Sequence, residues 1–122
     1  MKPTIKWNAE KFGVEIQTKG QHFAIDANPS MVMQWNDAVR FYKDNKEWRL
    51  PSREESLLVA ANIDDVNAII KKNGGHKMEG WFWASYEYNE FCAWRVPMGS
   101  GGTGNSSKNY GSYVRAVSAL KN

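Results

Sequence analysis

The chain has 122 residues, 42% hydrophobic and 24% charged. That is the composition of one ordinary globular domain, long enough to bury roughly two thirds of its unfolded surface. A formal charge of +3 and a pI near 9.0 are spread over interspersed bases and acids, with no basic run longer than Lys71-Lys72, and this gives no argument for nucleic acid. A single thiol, Cys92, excludes an internal disulfide, and no stretch reaches the apolar length of a signal sequence or a membrane span, so membrane insertion is not expected.

Thr4-Ile5-Lys6-Trp7 reads as a short strand. Gly13 to Thr18 and Phe23 to Asp26 alternate apolar and polar residues around Lys19-Gly20-Gln21, the pattern of a β-hairpin. Asn28-Pro29-Ser30 breaks that pattern and offers a helix start. Trp35, Ala38, Val39 and Tyr42 follow at helical spacing, predicting an apolar stripe on a helix that ends near Asn45. Trp48-Arg49-Leu50-Pro51-Ser52 is a connector into a second helix. Ser52 and Glu55 form a capping box there, with Leu57, Leu58 and Ala61 as the expected buried stripe. A third helix starts at Asn62, carries Val66, Ile69 and Ile70 inward, and stops at Asn73-Gly74-Gly75.

From Gly80 the strand alphabet returns and two kinds of residue interleave. Trp81, Trp83, Trp94, Val96, Val114 and Val117 read as a buried frame. Tyr86, Tyr88, Asn89, Phe91, Arg95, Ser100, Asn105, Ser106, Ser107, Asn109, Tyr110 and Ser112 read as a solvent-facing recognition surface. Tyr supplies contact area at low entropic cost, while Ser, Asn and Gly supply adjustable hydrogen bonds. Trp94, Val96 and Met98 alternate with Arg95, Pro97 and Gly99, so one face is expected in and the other out. Gly99 to Gly104 (GSGGTG) resembles a phosphate loop only superficially, because a turn-like Asn-Ser-Ser-Lys-Asn-Tyr follows where a helix would be needed; a hairpin tip is expected. Tyr113 to Val117 is the expected closing strand.

Catalytic signatures are missing. His22 and His76 have no Cys or acidic neighbour at metal-ligand spacing, and Cys92 has no nearby His. Glu54, Glu55, Asp64 and Asp65 all fall in first turns of helices, where the dipole favours negative charge, so capping rather than acid–base chemistry is expected. Trp35-Asn36-Asp37 spells a tripeptide that calcium-binding lectins use, but there it lies on a late strand and here on a predicted helix. No metal, no cofactor and no enzymatic activity are expected.

An ordered series runs through nearly the whole chain: Trp35 with Ala38; Trp48-Arg49-Leu50-Pro51-Ser52 with Glu55; Trp83-Ala84-Ser85 with Glu87-Tyr88; Ala93-Trp94-x-Val96; Lys108; and Tyr113-Val114-Arg115-Ala116-Val117. From about Gly13 to Leu120 the series resembles small bacterial and phage C-type lectin-like domains, most of all the variable proteins of diversity-generating retroelements of Bacteroides and their phages. The resemblance implies an α+β fold of the C-type lectin type, with an N-terminal hairpin, two or three helices and C-terminal antiparallel strands with long loops. It also implies a single domain over 1–122 whose segment from about 80 to 117 is hypervariable and binds a protein or glycan on a target cell. The implied diversified positions are Tyr86, Tyr88, Asn89, Phe91, Cys92, Arg95, Pro97, Ser100, Asn105, Ser107, Asn109, Tyr110 and Ser112; with no signal or membrane-spanning stretch in the sequence, a virion-associated or cytoplasmic location is expected. Calcium-mediated sugar binding is not inherited, because the ligands and disulfides of animal lectins are missing. Two other expectations remain: a fixed component of a phage tail or cell-surface assembly, and an oxidase like the formylglycine-generating enzymes. The latter share an Arg-Leu-Pro-helix segment but need paired cysteines for copper.

Overall fold

Alternation in the first third folds as expected. β1 (Thr4–Asn8), β2 (Gly13–Gln17) and β3 (His22–Asp26) form an antiparallel meander with Val14 paired to Ile25 and Ile16 to Phe23. A computed structural model describes residues 2–99 and 101–121. Gly13 is required by crowding: a Cβ there would lie 2.5 Å from the Ile25 carbonyl oxygen. The last strand, β9 (Val117–Ala119), pairs with β3, so the sheet order is β1-β2-β3-β9 and the two ends of the domain are stitched together.

The second sheet is built mostly from the last third. Its order is β4-β8-β5-β6-β7, from β4 (Met31–Met33), β5 (Gly80–Glu87), β6 (Cys92–Met98), β7 (Gly104–Ser107) and β8 (Ser112–Val114). All its pairings are antiparallel except β5 with β8. Three helices complete the α+β architecture: α1 (Trp35–Tyr42), α2 (Arg53–Ala61) and α3 (Ile63–Lys72). One core joins Val14, Ile16, Phe23 and Ile25 to Val59, Val66 and Ile70 of the helices and to Phe82 and Val117. A second gathers Trp35, Ala38, Leu50, Trp83, Ala93 and Val114.

Four expectations are corrected. Residues after Ser30 form β4 before any helix, and α1 runs only from Trp35 to Tyr42, with no side-chain cap at Gln34 and with Val39 exposed. Packing of Trp35 and Ala38 holds this helix rather than a capping bond. In α2 the buried residues are Glu55, Ser56 and Val59; Leu57 and Ala61 are exposed and Leu58 packs only partly against the core. The helix is turned this way because Glu55 serves both the Ser52 cap and Arg49, whose guanidinium donates at 2.7 and 2.8 Å to its two carboxylate oxygens. The closing segment is two strands in two sheets, not one. Between them Arg115 is buried and donates to Ser30 Oγ and to the carbonyls of Asp26, His76 and Lys77, satisfying backbone groups where the chain changes sheets. Finally, Trp81 and Trp94, expected in the frame, are partly exposed.

Gly99, Gly101 and Gly102 take positive φ in the connection from β6 to β7, as a hairpin tip requires. No helix among the described residues is long and apolar enough to cross a membrane.

Candidate functional site

The residues quoted for the lectin-like resemblance converge on one irregularity in β5. Between the pairs Trp83–Arg95 and Glu87–Ala93 the register shifts, so that residues 84–86 oppose Trp94 alone. Such a bulge leaves backbone groups without ladder partners. Here the Trp35 indole donates to the Ala84 carbonyl at 2.9 Å, and the Ser85 amide donates to the Pro51 carbonyl at 2.7 Å. The Trp83 indole in turn donates to Met33 O at 2.9 Å. Trp35, the Arg49-to-Ser52 connector and Trp83-Ala84-Ser85 are therefore one device that fixes the bulge and aims the hairpin beyond it.

That hairpin tip carries the most exposed ring of the expected site, Phe91, at 69% accessibility. The tip is ordered by its own side chain: Asn89 Oδ1 accepts from the Phe91 and Cys92 amides, both at 2.8 Å, while the Tyr88 and Asn89 amides donate to Cys92 O. Tyr88 is exposed beside it.

Lys108, which composition did not single out as a site residue, joins this tip to the next turn. It is buried; its amide donates to Phe91 O at 2.8 Å and its ammonium to Glu87 Oε2 and, at 3.0 Å, to Glu90 O. The ammonium also lies 4.9 Å from the Trp35 ring centroid, and the Lys108 carbonyl accepts from the Trp35 amide. Asn109 and Tyr110, both exposed, follow at once, and the Tyr110 amide closes the turn on Ser107 O at 3.1 Å. The two loops bearing Tyr88, Asn89, Phe91, Asn109 and Tyr110 thus share a single buried peg. Lys108 stood in the quoted series without an assigned role, and nothing in its local sequence marked it as buried.

The other expected site residues distribute around this centre. On the α2 side, Arg53 stacks over Tyr86 at 4.4 Å and over Trp94 at 5.2 Å, so Tyr86 belongs to a partly covered aromatic–guanidinium stack. On the opposite face of the sheet Arg95 stacks over Trp81 at 4.8 Å and over Trp83 at 5.9 Å. Burial pushes the Arg95 pKa down, and the nearby Tyr110 hydroxyl opposes it. Asn105 is exposed on the edge strand β7, while Ser107 and Cys92, which pair across β6 and β7, are half-buried. Pro97 and Ser112 were expected at the surface and are buried. Pro97 sits opposite Trp81, and Ser112 Oγ donates to Trp81 O at 2.8 Å because β8 lies inside the sheet. Ser100 lies outside the described residues.

The carboxylates named from sequence are placed at helix starts, and Glu54, Asp64 and Asp65 stay exposed there. Burial alone would raise the Glu55 carboxyl; its bonds to Arg49 and to the Ser52 amide overcome that and hold it below 4.5. His22 uses both ring nitrogens, on Lys121 O at 2.7 Å and Glu15 Oε2 at 2.8 Å. Among the described residues no group of three or more His, Cys, Asp or Glu side chains is placed to hold a metal. Comparison with protein-family models and with curated protein sequences finds no match.

Proposed function

We propose that this chain is a non-enzymatic recognition module of the C-type lectin-like type, whose surface at the β5–β6 tip and the β7–β8 turn binds a protein or glycan of a target cell. One observation carries the reading: exposed Tyr88, Phe91 and Tyr110, with Asn89 and Asn109 between them, stand on two loops pegged to the core through Lys108. Exposed rings cost solubility and contribute nothing to the cores named above, so a held patch of them is best explained by contact with a partner. The pairing of N- and C-terminal strands in one sheet supports the lectin-like architecture, as does the convergence of Trp35, the Arg49-to-Ser52 connector and Trp83 on the β5 bulge.

In this proposal the tip and turn are diversified by a retroelement while the frame is kept. Sequencing the DNA flanking the gene tests it. A near-copy of the segment encoding Gly80 to Val117, differing mainly at adenines and close to a reverse-transcriptase gene, is the expected result. With no such copy, diversification is refuted and the surface serves one fixed partner. The recognition reading has its own check: joint replacement of Tyr88, Phe91 and Tyr110 by Ala leaves the melting temperature within a few degrees. A collapse of the fold would make those rings structural and end the reading.

A further inference from the structure

The arginines of this chain are matched, with one exception. Arg49 pairs with Glu55, Arg53 lies 3.5 Å from Glu54, Arg40 bonds Asp37, and Arg115 is saturated by carbonyls and Ser30. Arg95 has no carboxylate and no hydrogen-bond acceptor for its guanidinium among the described residues, and its Nε–H is buried without a partner. That Nε–H faces the interior, so an acceptor from outside can reach only the terminal N–H groups, which also lack a partner among the described residues. The guanidinium is nonetheless held in place, laid against Trp81 with Trp83 behind, on a strand pinned from both sides by β5 and β7. Trp81 is itself 40% exposed and Tyr110, the neighbour that bears on Arg95, is 61% exposed.

A guanidinium held 4.8 Å from a ring centroid keeps its terminal N–H groups positioned as a fork, the geometry that meets a carboxylate in two parallel hydrogen bonds. We propose that Arg95, held over Trp81, is the anchor for an Asp or Glu side chain of a partner protein. This rests on the recognition reading above and narrows its ligand to an acidic protein segment. A protein is favoured because Trp81, itself 40% exposed, offers apolar contact next to the charge, matching an acid set among apolar side chains on a partner surface. The overall charge of +3 adds attraction to such a surface.

The test has two arms. In the first, the side-chain Nε–H of Arg95 and the indole N–H of Trp81 are followed by NMR during titration with sodium acetate, against sodium chloride at equal ionic strength. The expected result is a saturating shift of both signals with acetate only, and no shift of the Trp81 indole in Arg95→Gln with its melting temperature retained. Equal responses to the two salts overturn the proposal. In the second arm, a displayed random peptide library is selected on the full chain. Peptides centred on Asp or Glu are expected, with affinity falling at least tenfold in Arg95→Gln and severalfold in Arg95→Lys, which lacks the fork. Binders that depend on Tyr88, Phe91 or Tyr110 but not on Arg95 overturn the anchor and leave the recognition surface standing. No binders, or binders indifferent to both sets, overturn both.

Discussion

Lys108→Met separates the peg from the space it fills. The substitution keeps an unbranched, buried side chain and removes the ammonium that serves Glu87, the Glu90 carbonyl and the Trp35 ring. The lost bond to a neutral carbonyl from a charged donor is worth about 1.5–3 kcal/mol. The Glu87 pair counts for less, roughly 0.2–1 kcal/mol, because that carboxylate is half exposed. The contact with Trp35 adds about 1–2 kcal/mol. Relief of the ammonium's desolvation offsets part of the sum, leaving a net loss on the order of 1–3 kcal/mol. For a domain of this size that is a fall in Tm of roughly 3–12 °C. The loss is local in character: the Lys108 amide bond to Phe91 O is expected to lose hydrogen-exchange protection well before amides of β2 and β3 do. Urea unfolding followed by Trp fluorescence gives the global term, and exchange of the 88–92 and 107–110 amides gives the local one. A variant as stable as the parent, with those amides equally protected, would refute Lys108 as the tie between the two loops.

Frame and face are expected to respond oppositely to truncation. Trp83→Ala removes a fully buried ring and orphans Met33 O, for a loss of about 3–5 kcal/mol, whereas Phe91→Ala stays within about 0.5 kcal/mol in the same urea titration. Arg115→Lys has three donors for four acceptor groups set in a fork geometry, and leaves at least one of them without its bond at a cost of roughly 1–3 kcal/mol; equal stability would show that the sheet change does not rest on the guanidinium. Glu55 is held below its unfolded value of 4.5, so its stabilisation is fully present above that pH and is lost as the pH falls through the lower folded value. Unfolding curves between pH 7 and pH 3 are expected to show the parent's advantage over Glu55→Gln shrinking below 4.5, and a constant gap would contradict the assignment.

Local signals in the sequence were read where they act locally. The β2–β3 hairpin, the Ser52–Glu55 box and the glycine stop after α3 each depend on residues close together in the chain, and each is where the residues put it. The misplacements at 31–33 and 113–117 have a common cause, which is pairing across long sequence separations. Met31-Val32-Met33 becomes a strand only because Ser112-Tyr113-Val114 arrives beside it, and Tyr113 to Val117 splits because Arg115 is captured by carbonyls from two distant segments. The same holds for the site. Alternation along β6 assigned Arg95 and Pro97 to solvent, but Arg95 lies over the Trp81 ring of β5, and Pro97, the ladder partner of Trp81, is buried.

What the sequence does make legible is the division of labour between residues that bind the chain to itself and residues that do not. The peg, the bulge and the Arg115 clasp all satisfy main-chain groups: Phe91 O and Glu90 O by Lys108, Ala84 O by Trp35, and the Asp26, His76 and Lys77 carbonyls by Arg115. Bonds of this kind are indifferent to which side chain stands at the positions they fix. Phe91, Asn109 and Tyr110 can therefore be exchanged without disturbing their loops, whereas Asn89 cannot, since its Oδ1 closes the tip on the Phe91 and Cys92 amides. Asp is the one replacement at that position that keeps an acceptor in the same place. Asn89 stands among the positions expected to be diversified, yet its Oδ1 bonds make it the tip position whose replacement is expected to disturb the loop.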